Sequence, residues 1–151
     1  MLARRELSEA QLRLRLTRRQ FEPEEVDAAV ARLRREGAVD DRRTALACAR
    51  TEAHVKRRGR LRVLRQIEAL GIARDVAKAA VADVFAELDE DLLIAQALER
   101  RLRRGTAGAE RTRPTPETVR RVHRYLLAQG FDAARVTAAI RSRTRTLVDD
   151  D

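Results

Sequence analysis

The sequence predicts an all-α chain assembled from small helical units in tandem, and three observations carry that prediction. Apolar residues return at helical spacing almost throughout. Val26, Ala29, Val30 and Leu33 fall at i, i+3, i+4 and i+7, and Ala77, Val81, Val84 and Leu88 at i, i+4, i+7 and i+11. Alternation typical of strands is confined to short stretches such as Leu12–Leu14–Leu16. The composition agrees, since 26 alanines and 18 leucines among abundant Arg and Glu are strong helix formers.

Stop and start signals place each element. Ser8 with Gln11 three residues on is a capping box opening a helix over 8–19, and Pro23 followed by Glu24 and Glu25 suits the first turn of one over 23–36. Asp40 or Asp41 caps 41–57, and 60–70 and 73–87 follow. Asp89 opens 89–104, Thr115 with Pro116 opens 115–129, and Asp132 opens 132–143. Gly37, Gly59, Gly71, Gly105 and Gly130 follow helical stretches, where left-handed caps are expected. The stretch 105–114, GTAGAERTRP, reads as a linker.

A repeat underlies these helices. Leu12, Leu16, Phe21, Val26 and Val30 stand at offsets −9, −5, 0, +5 and +9. Val63, Ile67, Ile72, Ala77 and Val81 match every offset, as do Val122, Leu126, Phe131, Val136 and Ile140. Units this small bury little alone, so neighbours must pack. We expect three helices in 1–57, three in 58–104, the linker 105–114, a two-helix third repeat in 115–143, and an acidic frayed tail in 144–151.

Charge narrows the function. The chain carries 33 Lys+Arg against 24 Asp+Glu, a net +9, and 31 of those cations are Arg. Residues 1–41 are neutral, 42–104 hold +6 and 105–151 hold +3. Such a surface favours a polyanion or an acidic protein face. One cysteine, Cys48, permits no internal disulfide, so a reducing cytoplasm is expected. The start MLARRELSEAQ lacks the apolar core of a signal peptide, and no apolar run is long enough to span a membrane. Four aromatics, Phe21, Phe85, Tyr125 and Phe131, are too few for a base-stacking platform.

Catalysis finds no support among the remaining residues. Cys48 and His54 lie about 240° apart around one helix and cannot chelate a metal from it; Cys48 reads as a small core residue. Asp40–Asp41 and Asp89–Glu90–Asp91 are explained as helix starts. No enzyme, cofactor or metal site is expected. Two basic clusters stand out instead: Arg57, Arg58, Arg60, Arg62 and Arg65 (with Lys56), and Arg100, Arg101, Arg103 and Arg104. Each could grip phosphates or acidic side chains. Each could equally be a solvated face stabilising a helix C-terminus through its dipole. A helix-turn-helix reading of 60–70 is weakened because no Asn, Ser or Thr there is available to read bases.

Order and spacing also resemble a known family. Leu2-Ala3-Arg4-Arg5-Glu6-x-Ser8 resembles the L-x-R-R-E-x-S entry of RecX proteins, bacterial regulators of the RecA recombinase. Leu12, Leu16, Phe21, Val26 and Val30 continue the pattern, as do Glu36-Gly37-x-Val39-Asp40-Asp41. Arg57-x-Gly59, Ile67-Glu68-x-Leu70-x-Ile72 and Leu88-Asp89-Glu90-Asp91 resemble its second repeat. Thr44 and Cys48 stand where the family carries aromatics, and Gln20 replaces the usual glycine before Phe21.

The resemblance implies tandem three-helix repeats forming an elongated, curved array that lies along the groove of the RecA–DNA filament. It implies inhibition by blocked filament extension or promoted disassembly, with effects on recombination, DNA repair, ATPase and the SOS co-protease. It implies no catalytic set. The expected binding residues are Arg57, Arg58, Arg60, Arg62 and Arg65, then Arg100, Arg101, Arg103 and Arg104, and Arg4 and Arg5 of the entry motif. Partners are expected to be the RecA filament and, weakly and through its backbone, DNA, with the chain a monomer. The alternative is a non-specific DNA-binding accessory protein that competes for DNA; an unrelated helical scaffold is a third reading.

Overall fold

The structure, a computed structural model, describes residues 6–105 and 114–149. Every regular element among them is helical: α1 Glu9–Arg18, α2 Pro23–Arg35, α3 Asp41–Arg50, a π-helical turn Thr51–Val55, α4 Arg60–Glu68, α5 Arg74–Phe85, α6 Glu90–Gly105, α7 Pro116–Ala128 and α8 Ala133–Asp149. The caps are those the sequence marks. Ser8 accepts from the Gln11 amide while the Gln11 side chain accepts from the Ser8 amide. Asp40 rather than Asp41 caps α3, and Asp89, Thr115 and Asp132 accept amides at the starts of α6, α7 and α8.

Two boundaries need correction. Residues 144–149, expected in a frayed tail, continue α8. Nothing in RSRTRTLVD breaks a helix, and Arg143 pairs with Glu99 of α6, which anchors that turn. The helix expected over 41–57 changes to π geometry at Thr51. Of the expected linker, 106–113 lies outside the described residues.

The sequence repeat appears as three helical hairpins, α1–α2, α4–α5 and α7–α8. Its marker positions form the cores of the second and third. Val63, Ile67, Ile72, Ala77 and Val81 are buried in one cluster, and Val122, Leu126, Phe131 and Val136 in another. The helix between hairpins packs forward: α3 lies on α4 and α5, and α6 lies on α7 and α8. The packing is thus one helix out of step with a grouping in which α3 completes the first hairpin and α6 the second. A ridge of Ala45, Ala49 and Ala53, fully buried at four-residue spacing, lets α3 approach that hairpin closely. Thr44 is buried beside it and Cys48 packs partly buried at the cluster's edge.

Neighbouring groups meet at a recurring joint. At the first, the Ser8 hydroxyl at the start of α1 donates to the Leu70 carbonyl, and a methyl on Gly71 would strike Ala10. At the second, Gly59 at the start of α4 donates to the Gln129 carbonyl at 2.8 Å and Leu61 to the Gly130 carbonyl at 3.1 Å. A methyl on Gly130 would strike the Arg62 backbone, and one on Gly59 the Gly130 backbone. Each joint therefore sets a helix N-terminus against the turn of the next hairpin.

Among the described residues, no helix start bonds to the turn of the first hairpin. Phe21 is 48% exposed, whereas its counterparts Ile72 and Phe131 are 4% and 2% exposed. Gln20 holds the left-handed conformation (φ 63°) that Gly71 and Gly130 hold (79° and 91°). With nothing seated on that turn, a side chain costs only backbone strain, about 1–2 kcal/mol.

Candidate partner-binding site

The site begins with the end of the third helix. The π-helical turn carries Glu52 and Ala53 into the core, and the chain leaves it through Lys56 and Arg57, with the Arg58 amide bonded back to the Glu52 carbonyl at 3.0 Å. Closing this widened turn requires a left-handed residue, and that residue is Arg57 (φ 52°). Gly59, expected there from sequence, instead has φ −76° and caps α4. Its lack of a side chain serves the close approach to Gly130 rather than a left-handed turn.

Glu52 fixes this segment. Its carboxylate is 3% exposed and accepts from Lys56 Nζ at 2.7 Å and from Arg58. Burial pushes this carboxyl up, but the hydrogen bonds and charges of Lys56 and Arg58 more than reverse that, and it lies below the ordinary carboxylate range. Arg58 is thereby a structural cation. So are two of its neighbours: Arg60 pairs with Glu90 at 2.6 Å and lies over the Phe85 ring, and Arg62 donates to the Ala128 carbonyl at 3.2 Å.

Arg57 points the other way. It donates to the Gln96 side chain at 3.1 Å and lines a cavity of about 160 Å³ with Lys56, Arg100, Arg101 and Arg104, closed by Tyr125 and Gln129. Arg101 lies 4.6 Å from the centre of the Tyr125 ring. None of the described lining residues is acidic. A shallower groove shares Arg57 and Arg100 and adds Gln96, Glu99 and Arg103.

The two basic clusters read from sequence are therefore partly merged by the fold. Arg57 is brought against Arg100, Arg101 and Arg104, with Arg103 on the adjoining groove. Arg58, Arg60 and Arg62 are engaged by the protein itself, and Arg65 is exposed on α4 and does not line the cavity. Arg4 and Arg5 lie outside the described residues. Gln96, Tyr125 and Gln129 were missed because tertiary packing alone carries them to Arg57. On the other face of the last hairpin, Arg120, Arg124 and Arg141 rim a larger groove floored by Val119 and Ile140, also without a signal in the sequence. No described helix is long and apolar enough to cross a membrane.

Comparison with known proteins gives this arrangement a family likeness. The first three-helix domain of RecX matches residues 1–33. The regulatory protein RecX of Pelodictyon phaeoclathratiforme is 24% identical over 151 residues, which is 100% of this chain and 89% of that protein. The regulatory protein RecX of Treponema pallidum, the same in each of two strains, is 33% identical over 105 residues, 70% of this chain and 64% of that protein. The chain is similar to RecX proteins. The all-helical architecture accords with that likeness. The arginine-lined cavity lies where the chain after α3 meets α6 and α7, outside the 33 residues matched by the first-domain description.

Proposed function

We propose that this protein is a non-enzymatic regulator of the RecA recombinase that binds along the groove of the RecA–DNA filament. Bound there, it blocks extension or promotes disassembly, and so modulates recombination, ATPase and SOS co-protease activity. Similarity to RecX proteins supports the regulatory role, and one structural observation supports the mode of binding. Arg57, Arg100, Arg101 and Arg104 face one concavity with no acid among its described lining residues, although arginines elsewhere pair with Asp27, Glu9, Glu6, Glu90, Glu68, Asp91 and Glu99. Like charges gathered without counter-charges are costly unless a partner supplies the anions.

In this reading the chain acts as a cytoplasmic monomer of tandem three-helix repeats. Several weak basic contacts along the filament add up through avidity. Arg57, Arg100, Arg101, Arg103 and Arg104 make the principal contacts, while Arg65, Arg4 and Arg5 are secondary. Arg58, Arg60 and Arg62 hold the scaffold. DNA is bound weakly and through its backbone.

The test is RecA ATPase on DNA saturated with RecA, with this protein titrated at near-physiological salt. Inhibition well below one molecule per protomer is the expected result. No inhibition, together with a DNA mobility shift that collapses with added salt, would overturn the proposal in favour of competition for DNA.

A further inference from the structure

The cavity between Arg57 and α6 has a chemistry that can be read more closely. Arg57 belongs to the second helical group, whereas Arg100, Arg101 and Arg104 belong to the third. The cavity thus lies across the joint. Gln129 lines it, and the Gln129 carbonyl is the acceptor for the Gly59 amide that closes the joint. We propose that this cavity is a phosphate site, and that a phosphate group seated in it ties the second and third helical groups together. The proposal rests on reading these arginines as a ligand surface, as above, but not on RecA as the partner.

Four features select phosphate. About 160 Å³ is below the roughly 300 Å³ at which pockets begin to enclose drug-sized ligands, so a small oxyanion fits and a nucleoside does not. Guanidinium groups converge from two helical groups. A tetrahedral phosphate carries more acceptor oxygens and more charge than a carboxylate, so it answers guanidinium groups from both sides at once. Of the cations lining it, Lys56 is paired with Glu52, but among the described residues Arg57 meets the neutral Gln96 amide, Arg101 the Tyr125 ring, and Arg57, Arg100, Arg101 and Arg104 have no ion pair. Finally, Arg101 lies over one face of the Tyr125 ring and competes with a base for that face.

The close of the π-helical turn at φ 52° sets where Arg57 leaves the backbone, and its side chain is exposed and lines the cavity. The phosphate can be a free ion or a phosphodiester of a nucleic acid strand. The adjoining groove past Arg57, Arg100 and Arg103 gives a strand a path out of the cavity.

The experiment uses the full chain and inorganic phosphate, titrated at millimolar concentration against chloride at matched ionic strength. The readouts are the thermal midpoint and the hydrogen exchange of the Gly59 and Leu61 amides, which cross the joint. We expect phosphate to raise the midpoint and slow both amides. Arg57→Gln and Arg104→Gln should each weaken phosphate binding about tenfold or more, since each removes a charge-assisted contact. Arg32→Gln, on α2 and away from the cavity, should leave it unchanged. Gln at 57 keeps the fold accessible, because Gln20 already adopts that conformation here. A short oligothymidylate that displaces phosphate identifies a strand as the source, and one that does not identifies the free ion. Equal stabilisation of all variants would overturn the proposal, as general exclusion of a kosmotropic salt from the surface. Protection of Gly59 by a polyglutamate peptide but not by phosphate would also overturn it, in favour of an acidic protein ligand. A wild-type chain that binds phosphate here but does not inhibit RecA would sink the regulator reading and leave this site standing.

Discussion

The Gly59 amide donates to the Gln129 carbonyl at 2.8 Å, and the Gly59 α-carbon lies so close to Gly130 that a methyl on it would overlap the Gly130 backbone. Two helical groups are thus joined main chain to main chain, with a glycine on each side. Gly130 is needed twice over, for its left-handed φ of 91° and for the approach of Arg62; Gly59, at φ −76°, is needed only for the approach. The distinction makes Gly59 the cleaner probe. Gly59→Ala should cost about 1–3 kcal/mol through forced separation of the joint. Gly37→Ala, left-handed at 71° but with nothing within 4 Å of an added methyl, should cost no more than about 1 kcal/mol. Urea unfolding midpoints of the two variants check the contrast.

Gln20 offers the reverse substitution. Its φ of 63° strains a residue with a side chain, and glycine relieves that strain while loosening the unfolded chain. The balance predicts that Gln20→Gly raises stability by about 0.5–1 kcal/mol, read as an increased urea midpoint with unchanged slope.

Glu52 should govern part of the acid sensitivity. Its pKa is lowered in the folded protein, so the unfolded chain takes up its proton first as the pH falls. The stability contributed by Glu52 is complete above the ordinary carboxylate pKa of 4.5 and is lost as the pH drops through the folded value. Glu52→Gln should cost about 1–3 kcal/mol at neutral pH, because Arg58 and Lys56 lose their counter-charge. It should also flatten the decline in thermal midpoint between pH 5 and pH 3, roughly the span over which such a carboxylate titrates. An equally steep decline in the variant would assign the acid sensitivity to other groups.

Arg57 should show a trade between stability and binding. Asn adopts the left-handed conformation more readily than Arg, so Arg57→Asn should stabilise the fold by up to about 1 kcal/mol. The same change removes one wall of the cavity and should reduce inhibition of RecA ATPase about tenfold. A paired measurement of thermal midpoint and inhibition separates this outcome from simple misfolding, which would lower both.

The helices were legible because their signals are local. Ser8 with Gln11, Asp40, and Thr115 before Pro116 each act within one turn, and the spacing of Val63, Ile67 and Ile72 states which face is buried. The likeness to RecX proteins was legible for a related reason, since the entry motif and the repeat are linear patterns. What sequence could not state was where each intervening helix goes. Ala45, Ala49 and Ala53 mark a small-residue face without saying which hairpin receives it. The site was half legible. Two runs of arginine are plain in the chain, but which arginines remain available depends on Glu52 taking Arg58, Glu90 taking Arg60 and the Ala128 carbonyl taking Arg62. The left-handed Arg57 follows from a π-turn that no residue in Thr51–Val55 announces.

A molecule that repeats one joint carries the means of its own polymerisation, because any hairpin turn that accepts a helix start from the preceding unit could accept one from another copy. Contacts of that head-to-tail kind do not close on themselves and build open fibres. The first hairpin is where such growth would begin, and there Gln20 places a side chain in the space that Gly71 and Gly130 keep empty. A second copy seated on that turn would have to meet the Gln20 side chain as well as the uncovered Phe21.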